Sequence, residues 1–468
     1  MPTSEDETVA RLLWLDIAKH LPLVGGKPEW PINTLGGILL LEERWLPAGD
    51  KLPDVILPRA VAALGLVVML GGCAAAPEPR DTATLNAVEC SDAAARIVSA
   101  ADELVTDYGQ PPGGAVGKAT TGDPLADAVA AARETRDRLD CDPDAFDTEL
   151  KEGLAAIEPD GPIASAVWRR VSASLLGTVR RDAGEWVLTA SDNLQDVVAR
   201  ASEGTTVVLP AGTIDLDATL VLLEGITLRG AGRDATTIRS AASGAAMMVA
   251  TASVVRLENL AVELIGAQPA SGLVAGPSAS VALNGVRMAG AVAGNDGGGG
   301  AGVYLSAEGN EGSGRGTTLE ISDSIFERNA WAGVAVAGGH RVSIQSATFA
   351  SNGEVGLIFL DKSSGSVSGS TFTNNTVGLA ATGSATPTWL ASTVTGGSVG
   401  VQMDASAAPV IVGLTVRGST SAAVIFGGAS GGSIGATTCD NVPYGIVIAS
   451  TAAPTLGENG CTVARGPA

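Results

Sequence analysis

Aromatic, charged and histidine residues are scarce in this chain of 468 residues. Aromatic side chains make up 3% of the sequence, charged ones 17%, and only two histidines are present. The net charge of −21 leaves no basic face for a phosphate backbone, which excludes nucleic acid as a partner. His340 is the only histidine after Cys73. We expect it at a solvated corner, and a single histidine excludes a histidine-based metal site.

Glycine is abundant instead, with 61 residues. Because glycine adopts turn conformations at no steric cost, this composition favours a repetitive β structure with tight corners over a helical enzyme. The length indicates more than one domain. Residues 74–190 are more negatively charged than residues 250–468, so we expect two physically different parts.

Residues 55–73 have the features of an export signal. A basic flank precedes an apolar run at 60–70, and a Leu-Gly-Gly-Cys sequence ends at Cys73; this order is typical of a secretory signal. The ending resembles the lipobox of bacterial lipoproteins. The resemblance implies that Cys73 is lipidated and that residues 74–83 form a flexible tether. A buried core helix is the alternative, since the run is short for a membrane span.

Residues 1–54 precede this signal, and two explanations are open. They form a cytoplasmic extension, or the start of translation lies further downstream. Val55 and Leu57 are residue types whose codons serve as bacterial start sites, and we favour the second explanation. The sequence therefore predicts an exported lipoprotein, anchored by lipid to the membrane of the bacterial cell envelope.

Residues 84–180 have helical spacing of apolar residues, which predicts a small helical bundle. The four predicted helices span residues 92–105, 123–139, 144–157 and 162–179. Cys90 and Cys141 lie beside predicted helix ends. In an exported protein, such a pair usually forms a disulfide, and two unrelated thiols are the alternative.

From about residue 193 to the end, the sequence repeats every 22 or 23 residues, and three sets of positions follow this period. The first set is Gly333-Val334, Gly356-Leu357, Gly378-Leu379, Gly400-Val401, Ala423-Val424 and Gly445-Ile446. The second is Ile321, Ile344, Val367, Trp389, Ile411, Ile434 and Leu456, and the third is Phe326, Phe349, Phe372, Val394, Val416, Cys439 and Cys461. Segments rich in Val, Ile and Thr with short Gly/Ser/Asn breaks predict stacked coils of about three strands each.

Three asparagines add a corner signal to this repeat. Asn329, Asn352 and Asn375 each follow a repeat phenylalanine by three residues. Stacked asparagines at a corner can bond one another along the stack, and asparagine tolerates left-handed conformation. These features resemble the right-handed parallel β-helix family that includes pectate lyases. The resemblance covers residues 193–468 and implies a mainly β solenoid, preceded by the α-helical bundle and capped by a short helix at 194–201.

Cys439 and Cys461 occupy one position on consecutive coils. They are expected to point inward about one strand spacing apart, where a disulfide is feasible. Two stacked buried thiols are nearly as good an interpretation. The final coil is therefore predicted to carry either a covalent link or a pair of free cysteines.

Two coils exceed the period, and each contains an insertion of about eight residues. The insertions lie around Asp296 and from residue 307 onward. Loops on a rigid scaffold commonly carry binding function, although tolerated surface loops are the simpler interpretation. The candidate site residues are Arg287, Asp296, Glu308, Glu311, Arg315, Asp323 and Glu327. The carboxylate oxygens among them suit Ca²⁺, but the sequence has no dedicated metal site.

The resemblance implies activity on acidic polysaccharides, but the sequence departs from the family's catalytic patterns. No adjacent pair of Asp residues and no Gly-His-Gly string occurs in the repeats. Few aromatics remain for sugar stacking, and Trp389 falls in an inward column. Two hypotheses follow: a lipid-anchored β-helix that binds or scaffolds polysaccharide, or a Ca²⁺-assisted polysaccharide lyase with its site at residues 287–327.

Overall fold

The computed structural model describes residues 82–109, 124–180, 182–276, 279–295, 298–305 and 318–466. Cys73, Asp296, Glu308, Glu311 and Arg315 lie outside these residues. The chain divides into two compact units. Within the described residues, one unit contains 82–102 and 124–156, and the other contains 103–109 and 157–466. No described helix is both long and apolar enough to cross a membrane.

Helices dominate the N-terminal part, as the sequence predicted. They are α1 (Thr82–Gly109), α2 (Pro124–Leu139), α3 (Pro143–Ala155), α4 (Gly161–Leu175) and α5 (Leu194–Arg200). In the first unit, a disulfide joins Cys90 to Cys141 with their Cα atoms 5.9 Å apart. Helix α3 begins slightly earlier than the predicted start at residue 144, because its N-cap is Asp142, which accepts a hydrogen bond from the Asp144 N–H.

Strands form nearly all of the second unit. In chain order the first seventeen are β1 (Glu185–Val187), β2 (Thr206–Val208), β3 (Gly212–Leu216), β4 (Leu220–Leu222), β5 (Thr227–Arg229), β6 (Thr236–Ser240), β7 (Gly244–Val249), β8 (Val254–Glu258), β9 (Ala261–Leu264), β10 (Ala270–Ala275), β11 (Ser280–Asn284), β12 (Arg287–Ala289), β13 (Ala301–Leu305), β14 (Thr318–Ser322), β15 (Ile325–Glu327), β16 (Ala332–Val336) and β17 (Arg341–Gln345). The remainder are β18 (Thr348–Ala350), β19 (Val355–Phe359), β20 (Ser364–Ser368), β21 (Thr371–Thr373), β22 (Val377–Ala381), β23 (Thr386–Leu390), β24 (Thr393–Thr395), β25 (Val399–Met403), β26 (Val410–Val412), β27 (Thr415–Arg417), β28 (Ala422–Phe426), β29 (Ser433–Gly435), β30 (Thr438–Asp440), β31 (Tyr444–Ile448), β32 (Thr455–Leu456) and β33 (Val463–Arg465).

These strands stack into three parallel sheets, which makes the unit a right-handed parallel β-helix. Sheet A runs from β1 to β32, sheet B from β3 to β30, and sheet C from β4 to β33. Each coil contributes one strand to each sheet, and like residues pair with like residues. The fold class predicted from the sequence is confirmed.

The strand pairing also confirms the three repeat columns. In sheet A, Ile321 pairs with Ile344 and Val367 pairs with Trp389. The corresponding pairs continue through the phenylalanine column in sheet B and the Val/Leu column in sheet C. These side chains fill the interior, where Trp389 is fully buried. The period of the sequence therefore sets the register of the stack.

Many corners between sheets contain a residue in left-handed conformation. At the corner from sheet B to sheet C these residues include Arg328, Ser351 and Asn374, with φ of 53° to 54°. The residues that follow them are Asn329, Asn352 and Asn375. The asparagines that bond along the stack are therefore not the left-handed residues of these corners. The preceding residue turns the chain, and the asparagine side chain is directed into the stack.

The asparagine ladder itself is present and buried. Asn352 Oδ1 accepts hydrogen bonds from the backbone N–H of Asn329 at 3.2 Å and from its side-chain amide at 3.0 Å. Asn352 Nδ2 donates to the carbonyl of Phe326 at 3.1 Å and to Asn375 Oδ1 at 2.9 Å. Because water does not reach this corner, the ladder satisfies polar groups that would otherwise be left unpaired.

The two ends of the solenoid are closed differently. At the start, α5 covers the first coil; Asn193 caps this helix by accepting from the N–H groups of Gln195 and Asp196. At the end, a disulfide joins Cys439 to Cys461 with a Cα separation of 5.1 Å. Both cysteines are partly buried against the core. The disulfide ties the final coil to the preceding one.

Candidate functional site

Two of the predicted site residues form an ion pair on the outer face of sheet B. Arg287 in β12 donates from Nη1 to Glu327 Oε1 in β15 at 3.4 Å, and Arg328 Nη1 approaches the same oxygen at 2.8 Å. The Arg287 and Glu327 side chains are only 25% and 20% exposed. The Nε of Arg287 is buried and has no hydrogen-bond partner among the described residues. The pair is partly desolvated, which strengthens its attraction relative to a fully exposed pair.

Asp323 has a different set of contacts. It occupies the corner from sheet A to sheet B with φ of 47°, and its side chain is exposed. Its carbonyl accepts a hydrogen bond from Arg233, which belongs to a corner loop several coils earlier. The structure thus brings Arg287 and Glu327 together and assigns Asp323 to a neighbouring corner.

The same face carries charged residues that sequence reasoning missed. Asp215, Arg239 and Glu263 occupy consecutive rungs of the outward column that leads through Ala289 to Glu327. Arg239 donates to both carboxylate oxygens of Asp215, at 2.6 and 2.9 Å. The hydrogen bond from Arg239 lowers the pKa of the Asp215 carboxyl. The period-2 alternation of β3, β6 and β9 is the signal that would have located these residues.

The first insertion is a small antiparallel arm. Val292 exchanges two backbone hydrogen bonds with Ala270, at 2.8 and 3.0 Å, and Gly294 donates to Gly298 at 2.7 Å. Gly299 and Gly300 return the chain to sheet C with φ of 73° and 84°. A side chain at Gly300 would collide with Ala293 and Trp331. Glycine is therefore required where this arm approaches the next coil.

An aromatic pair lies beside this arm, on the sheet C side of the corner. Tyr304 in β13 and Trp331, just before β16, contact edge to face with ring centroids 6.3 Å apart. The N–H of Trp331 donates to the carbonyl of Gly300 at 2.9 Å. Both aromatic residues are partly exposed. One corner is thus flanked by the Arg287–Glu327–Arg328 group on one side and by an aromatic pair on the other.

Glu354 occupies the position of Trp331 on the following coil. Desolvation raises the pKa of the Glu354 carboxyl above its ordinary value, although the residue as a whole remains exposed. Its N–H donates to the carbonyl of Trp331 at 3.0 Å. A carboxyl group is therefore placed next to the aromatic pair in a partly dehydrated position.

We expect Glu354→Gln to stabilise the protein slightly at neutral pH. A raised folded pKa means that the ionised carboxylate costs stability above that pKa, and that this cost disappears as the pH falls towards the unfolded pKa of about 4.3. Melting temperatures measured between pH 4 and 8 should show a gain for the variant at pH 7 that vanishes near pH 4. The exposed Glu203 gives the control Glu203→Gln. A gain that does not change with pH would contradict this origin.

His340 corrects the sequence analysis, because its expected place at a solvated corner is wrong. His340 is fully buried. It lies at the corner from sheet C to sheet A in a column that continues through Ser363 and Ala385, both also fully buried. An inward position explains this burial, since neighbouring coils place small residues there. The imidazole is thus enclosed by the solenoid and lies outside any surface site.

The chemistry available at the corner between the Arg287–Glu327–Arg328 group and the Tyr304–Trp331 pair is recognition by charge, hydrogen bonding and aromatic contact. No cluster of three or more potential metal-ligating residues occurs among the residues that the structure describes. The Glu327 carboxylate contacts the guanidinium groups of Arg287 and Arg328. Paired charges of this kind can orient a polar ligand.

Comparisons with known proteins agree with the fold. Residues 298–460 match the family described as the right handed beta helix region, and comparison with curated proteins finds no match. Among solved structures, the catalytic domain of a GH87 α-1,3-glucanase in complex with nigerose is 8% identical, with 59% of this chain and 69% of that chain covered and a TM-score of 0.36.

Two further solved structures are similar in the same limited sense. The GH87 α-1,3-glucanase catalytic unit from Streptomyces thermodiastaticus is 14% identical, with 58% and 66% coverage and a TM-score of 0.39. The A-module of mannuronan C-5 epimerase AlgE6 from Azotobacter vinelandii is 13% identical, with 56% and 91% coverage and a TM-score of 0.32. The strand pairing and the family match identify the C-terminal part of this chain as a right-handed parallel β-helix.

Proposed function

We propose that the β-helix binds a polysaccharide across the corner formed by residues 287–331. The observation that carries the proposal is the placement of the Arg287–Glu327–Arg328 group and the Tyr304–Trp331 pair on either side of one corner. Saccharides offer hydroxyl groups for charged side chains and C–H faces for aromatic rings. The inserted arm, which approaches Trp331, adds a wall on the same coils.

A binding role is favoured over catalysis by the contacts that the carboxylates make. Glu263 and Glu327 share one outward column, two strands or about 9.5 Å apart. That separation suits a pair of catalytic carboxylates. Glu327, however, contacts two arginines, and Glu263 lies beside Arg239 on the preceding rung. Carboxylates held in place by arginine neighbours present fixed hydrogen-bonding groups to a ligand, which supports recognition.

The binding proposal is tested with a panel of soluble polysaccharides, including glucans, polygalacturonate and alginate, by affinity electrophoresis. Trp331→Ala is expected to weaken binding about tenfold, since aromatic contacts contribute on the order of 1 kcal/mol. The control is Tyr444→Ala, which removes an aromatic residue of sheet C near the far end of the solenoid. If wild type and Trp331→Ala had equal affinity for every polysaccharide that binds the wild-type protein, the proposed site would be refuted.

The alternative function is a Ca²⁺-assisted lyase acting at residues 287–327. The oxygen-rich insertion residues Asp296, Glu308 and Glu311 motivate it, since Ca²⁺ takes oxygen ligands. A lyase would release unsaturated products, which absorb in the ultraviolet. Product release that depends on Ca²⁺ and disappears in Glu327→Gln would favour the lyase over simple binding.

We also propose that the chain is an exported lipoprotein whose lipid on Cys73 holds it to the bacterial membrane. The sequence order of basic flank, apolar run and Leu-Gly-Gly-Cys supports this. Cys73→Ala is expected to move the protein from the membrane fraction to the soluble fraction after detergent phase partitioning. Unchanged partitioning of this variant would refute the lipid anchor.

A further inference from the structure

A cavity of about 390 Å³ lies between α4, α5 and the first two coils of the β-helix. It is distinct from the corner at residues 287–331, because its lining comes entirely from residues 161–243. Its volume falls at the lower end of the range for small-molecule sites, about 300–1,000 Å³. The space is therefore suited to a small molecule or the end of a chain.

Two ion pairs fix the walls of this cavity. Arg169 of α4 pairs with Asp196 of α5. Arg170 of α4 donates to Glu224 Oε1 at 2.8 Å and to the carbonyls of Ala199 and Ala201 at 3.1 and 2.6 Å. Helix α4 is thus held both to α5 and to the coil after β4, and the cavity is preformed.

Several side-chain donors that line the cavity are bonded to carbonyl groups of the protein. The amide of Gln195 donates to the carbonyl of Ala218 at 3.1 Å, Thr219 Oγ1 to the carbonyl of Ala245 at 2.7 Å, and Ser165 Oγ to the carbonyl of Gly161 at 2.8 Å. Arg169 and Arg170 are each paired with an acidic residue, Asp196 and Glu224. The charges of both guanidinium groups are therefore compensated within the protein.

Acceptors remain open. Asp217 has no hydrogen bond or ion pair with the described residues, and only one oxygen of Glu224 is paired. Apolar side chains also line the cavity, among them Val198, Leu220 and Val221. A complementary ligand supplies hydrogen-bond donors on one side and a C–H surface on the other. Hydroxyl-rich rings have this character, and an ammonium group would in addition match the unpaired carboxylate.

We propose that this cavity binds a mono- or disaccharide, and that it prefers neutral and amino sugars to uronic acids. The proposal goes beyond the polysaccharide site, which occupies other coils and other residues. The preference follows from charge: Asp217 attracts an ammonium group, accepts from a hydroxyl, and repels a carboxylate.

The probes are glucosamine, glucose, maltose and glucuronate, titrated into the full-length protein by isothermal calorimetry. We expect glucosamine to bind at least as tightly as glucose, and glucuronate to bind about tenfold more weakly. Asp217→Asn should remove the advantage of glucosamine over glucose. Absence of binding by all four probes, or tighter binding of glucuronate than of glucose, would overturn the proposal.

Variants in which a bulky side chain fills the cavity, here called plugged variants, distinguish sugar binding in this cavity from sugar binding elsewhere on the protein. Ala166→Phe and Ala218→Phe place a bulky side chain in the cavity and should weaken glucose binding about tenfold or more, whereas Ala453→Phe, an exposed position near the C-terminus, should not. Circular dichroism establishes that each variant is folded. Undiminished glucose binding in both folded plugged variants would refute the location. Polymer binding at residues 287–331 should persist in the plugged variants, and Trp331→Ala should retain glucose binding. The two proposals can therefore be refuted independently of each other.

Discussion

Asn352→Ala is expected to lower the free energy of unfolding by about 3 kcal/mol or more. The side chain is 2% exposed and makes four hydrogen bonds, to Asn329, Phe326 and Asn375. Alanine leaves the partners of these bonds buried without replacement. Each orphaned buried group costs on the order of 1–3 kcal/mol, and partial relaxation keeps the total below the sum. Equilibrium urea unfolding followed by far-ultraviolet circular dichroism measures the loss.

The matched control is Asn284→Ala, which removes an exposed asparagine from β11. We expect its stability to lie within about 0.5 kcal/mol of the parent protein. If Asn352→Ala were equally mild, the ladder would contribute packing alone, and the account of corner stabilisation given by its hydrogen bonds would be wrong.

Phe349→Ala is expected to cost about 3–5 kcal/mol. Phe349 is fully buried between two further phenylalanines, with ring centroids 5.2 Å from Phe326 and 4.6 Å from Phe372. The backbone of each coil is fixed by hydrogen bonds to the coils on both sides. The neighbouring rings therefore cannot close the space that the lost ring leaves, and the cavity persists.

The control for this variant is Leu390→Ala, on the outer face of sheet A, where the leucine is 37% exposed. Truncation there removes less buried surface and should cost about 1 kcal/mol or less. Urea unfolding of both variants distinguishes the two positions. A loss for Phe349→Ala no greater than that for Leu390→Ala would mean that the core collapses around the missing ring.

The repeat columns show why the fold could be predicted from the sequence. In a parallel stack, a residue pairs with its equivalent one coil later, so a period of 22–23 residues specifies register directly. The spacing of Ile321, Ile344 and Val367 is enough to predict that they form a column, and they pair in that order. Inward positions were equally readable, because alternation along a strand separates the core from solvent.

The direction of side chains at the corners was harder to predict from the sequence. His340 follows two glycines and has a polar neighbour, features that suggested exposure, yet it is fully buried. The asparagines of the ladder were recognised, but the left-handed residues are the ones before them. A corner turns within two or three residues, and a shift of one position exchanges the inward side chain for the outward one. Periodicity alone does not fix that choice.

The sequence by itself determined the solenoid, its register, its interior columns and the coils that carry insertions, because each depends on a period that the chain repeats many times. Tertiary structure alone decided which charges meet: it paired Glu327 with Arg287 and Arg328, directed Arg233 to the carbonyl of Asp323, and closed a cavity between α4 and the first coils. These contacts join residues 40 to 90 positions apart, or neighbours across a single corner, and each occurs once. A contact that occurs once leaves no period in the sequence, so only the folded chain reveals it.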